Sequence, residues 1–403
     1  MGAAVVRAPW DPLWMSGGMY QYVSQFHDHS AAGIRKFALK DQELLYYDEG
    51  RSSVVTVGRN ANSGNIWLAN NGKIDASTVG DRPTQVLVGL VGAQFVEHPQ
   101  RALVIGLASG ITAGAVTQLP GLDDVEVVEL EPAVVGGARV FREHNHDVVD
   151  GGRARIVVND GRNHLLRAAP GTYDLVVSEP SNPYLSGVAN LFTQEFWALG
   201  RTRLAPGGVW AQWVQLYGMG PDELRGLVRT FAETYPYVAV YVAIEGADLV
   251  LLGADHPLVP TPEAAAGLLA DPAVRDELQQ VEIRFPLDLV AYHAMDRAQA
   301  LAFAGNAPLV TDDNLRVEYA APLWLHTDVA IRNWDDLLAA ARVPWGAVPR
   351  EPLAMLDLAE TYERLGDPRR ADEVRAHALA WLDPRDDLWA EVVDALDRRA
   401  GTP

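Results

Sequence analysis

The chain contains no cysteine, which excludes disulfides, thiolate nucleophiles and cysteine-ligated zinc together. It has no apolar run near the roughly 18–20 residues that a helical membrane span requires. Its first residues, MGAAVVRAPWDPLWMSGG, lack the basic start and long apolar stretch of a signal peptide. Basic residues are scarce: 33 Lys and Arg face 53 Asp and Glu, a formal net charge of -20, and such a surface repels a phosphate backbone. The expectation is therefore a soluble, cytoplasmic protein with no nucleic-acid and no membrane partner. What is present is enough for a substantial core, since 403 residues at 48% hydrophobic content support two or three domains without staples.

Residues 1–40 mix aromatics and histidines without a clear period and read as an irregular lead-in. Residues 41–80 hold ELLYYDEG, SSVVTVG and NIWLANNGKID, short β-rich runs broken by Gly and Asn, which predict a small antiparallel β-hairpin module. A helix is expected over 82–96. The apolar runs ALVIG, VEVVEL, ARIVV, YDLVV, GGVWAQWV, VAVYVAI and ADLVLLG then alternate with helical stretches, the signature of a parallel sheet covered on both faces. This α/β domain is placed at 81–256, with an α-rich extension at 257–330 and a helical tail at 331–403. Within the tail, LDLAETYERLGDPRRADEVRAHALAWLDP has the spacing of one tetratricopeptide-like hairpin. A single copy points first to a packing appendage and second to a docking surface for a protein partner.

Three strand ends carry nucleotide-binding chemistry. The first runs into GLASGITAG, where Gly106 and Gly110 suit a tight turn that lets a ligand approach the backbone, with Ser109 between them. The second ends in VVELEP, some 20 residues on, where an acidic side chain can accept the hydroxyl hydrogens of a ribose. Glu129, at the strand end, is preferred over Glu131, which suits a helix cap. At the third, VVNDGRNHL, Asp160 can accept an adenine amino group and Gly161 lets the ring lie against the backbone; a plain Asp cap is the alternative. The glycine loop lacks the last Gly or Ala of the dinucleotide fingerprint, which favours an adenosyl sulfonium over NAD.

Taken in order, PTQ, VIGLASG, VVELEPAVV, VVNDGRNHL, YDLVVSEPSNP, LFTQEFW and LAPGGVWAQW resemble the spermidine synthase family, the polyamine aminopropyltransferases, over roughly residues 42–255. The likeness is strongest to the branch often joined to membrane segments. The resemblance implies a Rossmann-like transferase fold that binds decarboxylated S-adenosylmethionine and moves its aminopropyl group to a diamine without a metal, commonly as a homodimer. It also implies that Gln85 lines the cavity between nucleotide and acceptor, that Glu129 holds the ribose and that Asp160 faces the adenine.

Two departures stand out. Ser109 occupies the place of an aspartate that in the standard enzymes holds the donor's propylamine. A carboxylate there would separate a free ammonium from an intact carboxylate by about 1–4 kcal/mol at ~4 Å, so its loss makes intact S-adenosylmethionine an alternative donor. In place of Asp-x-x-Asp-Pro, whose second aspartate deprotonates the amine, the chain has Glu179 and Asn182 before Pro183. An amide is no base at neutral pH, so Asn182 is expected to orient an amine, and Glu179 to act as base or cation-binding group if burial raises its pKa. Ser181 to Tyr184 are also similar to the Asn-Pro-Pro-Tyr motif of amino methyltransferases, with Tyr184 as the stacking ring. YLSGVANLFT reads as a lid, and Gln215 and Tyr217, at the end of the WAQWVQLYG strand, as acceptor contacts.

The leading expectation is thus an aminopropyl transfer from an adenosyl sulfonium to an amine. Methyl or aminocarboxypropyl transfer is the rival, and a non-catalytic nucleotide-sensing or interaction module a third reading. Alternate histidines at 27 and 29 and at 144 and 146 offer no convincing third metal ligand.

Overall fold

Apolar residues on both faces of four successive strands bury the centre of the chain. The computed structural model describes residues 11–385 and 387–400; the first ten residues of the expected lead-in, and residues 386 and 401–403 of the expected tail, lie outside them. Strands β1 (Gln42–Glu49), β2 (Val54–Asn60), β3 (Ile66–Asn70) and β4 (Lys73–Ser77) form an antiparallel sheet in sequence order. Asn70 pairs with Lys73, which leaves Asn71 (φ 49°) and Gly72 (φ 82°) as a two-residue hairpin loop. Both positive φ values are what a primed turn demands, and Asn-Gly is the pair that best supplies them.

The larger sheet holds β5 (Arg101–Ile105), β6 (Asp124–Glu129), β7 (Arg155–Val158), β8 (Tyr173–Ser178), β9 (Leu204–Gln215), β10 (Tyr237–Ile244), β11 (Asp248–Ala254) and β12 (His293–Asp296) in the order β12-β10-β11-β9-β8-β5-β6-β7. Strands β5 to β9 are parallel neighbours. Ala102 to Ile105 and Leu175 to Val177 are at most 3% exposed, as strands covered on both faces should be. The strand order reverses around β5, which opens a crevice between the carboxyl ends of β5 and β8, the place where open α/β sheets bind ligands.

Not every strand is parallel. β10 and β11 run antiparallel to each other, and β11 runs antiparallel to β9. Only Glu245, Gly246 and Ala247 connect β10 to β11, too few for the crossover that parallel pairing requires. The antiparallel turn-back places Asp248 opposite Gln215. Strand β12, inside the segment read as an α-rich extension, adds to the outer side of β10. The lead-in contains the helices Pro12–Met15, Met19–Tyr22 and Ala31–Leu39, where an irregular course was expected; Ser30 caps the last by accepting from the Gly33 amide. The expected helix at 82–96 is an α-helix over Arg82–Leu90 continued by a 3₁₀ turn over Val91–Phe95.

The tail helices Pro352–Arg364 and Pro368–Leu379 pack as a hairpin against the main body. Arg370 is fully buried; it pairs with Asp367, lies 4.3 Å from the Tyr362 ring centre and donates to the His293 carbonyl at 2.6 Å. Asp288 accepts from Thr361 (2.7 Å) and Arg364 (3.0 Å). Removing one partner of a buried pair leaves the other charge uncompensated, at a cost of about 3–5 kcal/mol. Arg370→Ala is therefore expected to move the urea unfolding transition of this hairpin to clearly lower concentration. An effect below about 1 kcal/mol, the scale of a surface ion pair, would show that the hairpin does not depend on this anchor.

Candidate functional site

Gly106 follows β5 with φ 97°, and a Cβ there would sit 2.3 Å from the Glu179 carbonyl. Only glycine allows the ends of β5 and β8 to approach so closely. Above this contact lies a cavity of about 310 Å³, lined by the loop after β5, the ends of β6 and β8, the first turn after β7, strand β4 and residues of β9 and β11. At one side Glu129 accepts the amides of Leu107 (3.0 Å) and Glu131 (2.8 Å), and burial raises its pKa. Asp160 caps the helix Gly161–Arg167 through the Asn163 amide (2.7 Å) while also lining the cavity. At Gly161 a Cβ would meet the Ile105 side chain at 2.6 Å, so the helix could not seat against β5 with a larger residue.

The other side holds four carboxylates, Asp75, Asp81, Glu179 and Asp248, and one ammonium, Lys73. Asp248 accepts from Thr84 Oγ1 (2.8 Å) and Trp213 Nε1 (3.0 Å); burial lifts its pKa to about 6 against those stabilising hydrogen bonds. Glu179 accepts from Thr112, yet burial and the negative charges of Asp248 and Asp81 push it up to about 8. Asp75 accepts from Asn70 (2.7 Å), Ser181 (2.9 Å) and Lys73 (2.9 Å). Lys73 is 7% exposed in its side chain and sits 6.0 Å from the centre of the Tyr217 ring.

Seven of the sequence-expected residues therefore meet at one cavity: Gln85, Gly106, Glu129, Asp160, Gly161, Glu179 and Tyr217. Ser109 and Gly110 do not face it. The Ser109 hydroxyl donates to Gln85 Oε1, and its carbonyl accepts from Asn145 (2.8 Å). Asn145 also stands 2.9 Å from where a Gly110 Cβ would lie. Both residues shape the loop, and Ser109 holds Gln85, whose amide nitrogen donates to the Ser77 carbonyl (2.8 Å). Asn182 and Tyr184 lie behind the wall, with the Asn182 amide nitrogen 3.4 Å from the Tyr217 hydroxyl and the Tyr184 ring against Gly218. Gln215 is fully buried away from the cavity, and Trp213, two residues earlier on β9, is the residue that lines it. Glu131 caps the helix Pro132–Ala138 and accepts from the Ser52 amide (2.6 Å) and hydroxyl (2.7 Å); against its burial, these bonds draw its pKa down to about 2.

Sequence reading missed Asp248, Thr84, Asp75 and Lys73. Asp248 opens a strand right after a turn, where an aspartate reads as turn chemistry. The alternation of β4 does offer a signal for the other pair, since Lys73 and Asp75 share one face of a strand whose next residues are apolar or small.

Part of the chain is similar to known proteins. Residues 83–244 match the family model described as the spermine/spermidine synthase domain. A polyamine aminopropyltransferase of Synechococcus sp. is 34% identical over 178 residues, 41% of this chain and 55% of the relative. Putrescine N-methyltransferase 1 of Nicotiana tabacum is 25% identical over 43% of this chain and 46% of the relative. The chain thus spans about half the length of these curated relatives. A solved structure of a probable spermidine synthase from Corynebacterium glutamicum overlays with a TM-score of 0.49 at 20% identity, covering 67% of this chain and 97% of that one. The fold is a mixed α/β architecture, a large sheet whose β5 to β9 are parallel, with the small N-terminal sheet and C-terminal helices described above.

The raised Glu179 pKa makes a stability prediction. Unfolded chains release this proton near 4.5, whereas the folded protein keeps it until about pH 8. The folded state then binds more protons than the unfolded one, so stability falls as pH rises through that window and levels off above it. Each unit of difference is worth about 1.4 kcal/mol. Glu179→Gln is expected to gain thermal stability over wild type between pH 5 and pH 8.5. Parallel melting curves across this range would contradict the buried, neutral carboxyl.

Proposed function

We propose, from a spermine/spermidine synthase domain at residues 83–244, that the protein is a transferase moving the aminopropyl group of decarboxylated S-adenosylmethionine to the nitrogen of a small amine. The observation that carries this reading is the convergence of Glu179 and Asp248 on the same cavity as Glu129 and Asp160. A ribose fits Glu129, whose two oxygens each receive one amide and retain lone pairs for hydroxyl donors. An adenine amino group fits Asp160. The sulfonium would then face the carboxylate end, where Trp213 and Tyr217 offer aromatic surface to a cation.

Transfer forms a carbon–nitrogen bond as the carbon–sulfur bond breaks. The sulfur leaves as a neutral thioether, methylthioadenosine, and the nitrogen must shed a proton. Because the sulfonium is already a good leaving group, the protein's work is positioning, deprotonation and exclusion of water. Asp248 is the residue suited to take the proton: near pH 7 it is mostly ionised, and Thr84 and Trp213 fix its orientation. Glu179, neutral at that pH before substrate enters, can donate a hydrogen bond to an arriving free amine or ionise beside an ammonium. This division replaces the aspartate lost at Asn182. The lid reading of residues 184–193 and a homodimer remain part of the proposal, as does a docking role for the tail.

Two observations favour a second reading, methyl transfer from intact S-adenosylmethionine. The loop after β5 has no carboxylate to claim a propylamine, since Ser109 is turned onto Gln85, and a relative named putrescine N-methyltransferase matches at 25% identity.

Calorimetric titration with decarboxylated and intact S-adenosylmethionine separates the two, the tighter donor naming the reaction. With the preferred donor and a diamine panel, Asp248→Asn is expected to lower kcat about 100-fold or more, the range of a lost general base, while donor affinity holds. The acid limb of kcat/KM is expected near pH 6. Failure of both donors to bind would sink the transferase reading, and an Asp248→Asn variant with full turnover would remove Asp248 from it.

A further inference from the structure

Lys73 does not belong in a site built only for polyamines. Every other charged side chain lining the cavity is a carboxylate, a lining that suits an acceptor carrying several positive charges. A buried ammonium in the same wall repels such an acceptor. The residue is not there by accident of a flexible surface: the Asn71-Gly72 turn fixes its backbone, a Cβ on Gly72 would strike the Gly18 nitrogen at 2.5 Å, and the next amide, Ile74, donates to the Tyr22 hydroxyl at 3.0 Å. The lead-in thereby closes over the hairpin tip and keeps Lys73 out of bulk water.

An ammonium has three N–H donors and no acceptor. One reaches Asp75 at 2.9 Å, and among the described residues no other oxygen or nitrogen accepts from Lys73. The centre of the Tyr217 ring lies 6.0 Å away. Asp75 itself is held by Asn70 and Ser181 as well, so it can stay in place while Lys73 takes up another partner. A buried cation with unused donors, at a cavity wall, fits an anionic oxygen brought in by a ligand.

We infer that Lys73 receives a substrate carboxylate, so that the cavity accepts a ligand carrying both an amine and a carboxylate, the amine directed to Glu179 and Asp248 and the carboxylate to Lys73. The inference rests on the transferase reading above. Two molecules could bring the carboxylate: the amino-acid end of an intact S-adenosylmethionine, or an acceptor of the amino-acid class in place of a simple diamine.

Matched pairs of ligands test it by calorimetry. The donor pair is intact against decarboxylated S-adenosylmethionine. The acceptor pair is 4-aminobutanoate against 1,4-diaminobutane, titrated with methylthioadenosine present. Wild type is expected to bind the carboxylated member at least tenfold more tightly in one pair, and that pair identifies the source. The double variant Lys73→Met, Asp75→Asn removes both charges and leaves neither buried unpaired; it is expected to erase the preference while still binding the decarboxylated donor. Lys73→Met alone serves as a second variant, and a circular-dichroism melt verifies that each is folded. Tighter binding of the carboxyl-free member in both pairs overturns the inference, as does a preference that survives the double variant. If wild type binds neither donor, the transferase reading itself has failed, and the inference goes with it.

Discussion

The approach of residue 106 to the end of β8 is the constraint on which the site depends. With 2.3 Å between a would-be Cβ and the Glu179 carbonyl, the first loop can cross the crevice only as bare backbone. That crossing brings the residue after β5 and the residue after β8 into one wall, and Gly161 extends the same economy of space to the helix after β7. The three strand ends that present Glu129, Asp160 and Glu179 are neighbours because two side chains, at Gly106 and Gly161, are missing where the elements meet.

Electrostatics then divides the cavity. On the side of Glu129 and Asp160, backbone amides meet the carboxylates, as with Leu107 and Glu131 on Glu129. On the far side, Asp248 and Glu179 are supplied only with hydroxyl or indole donors, too few to offset burial, and their pKa values rise to different heights. Two carboxyls at different protonation states in one enclosure are a means of handling an amine proton at neutral pH. Lys73 and Asp75 introduce a third element, a fixed dipole at the wall, that a purely cationic guest would not need.

Much of this was legible in the sequence because it is local. The apolar runs, the glycine loop and the acidic strand ends each occupy a few consecutive residues and follow from period and turn chemistry. The legible part ends where residues meet from afar. Asp248 reaches the cavity only because β10 turns straight back into β11, which a reading of the sheet as parallel misses. Lys73 and Asp75 come from a hairpin that carries no motif, and Thr84 stands within PTQ beside Gln85, the residue that was singled out there. Ser109, Gly110, Asn182 and Gln215 stand at positions where a motif invites a ligand, but the side chains of Asn145, Gln85 and Tyr217 shape their surroundings instead. Position in a motif constrains the backbone more strictly than it constrains where a side chain looks.

The tail has a bearing that has nothing to do with chemistry at the cavity. Strand β12 is the last of the large sheet, and its carbonyls at His293 and Ala294 accept from the Arg370 guanidinium and the Arg342 amide instead of from another strand. An uncovered strand edge is a template for pairing with a second chain. The segment after residue 330 therefore occupies backbone acceptors on an edge strand that would otherwise be open to pairing, so the tail shields the large sheet as well as extending the core.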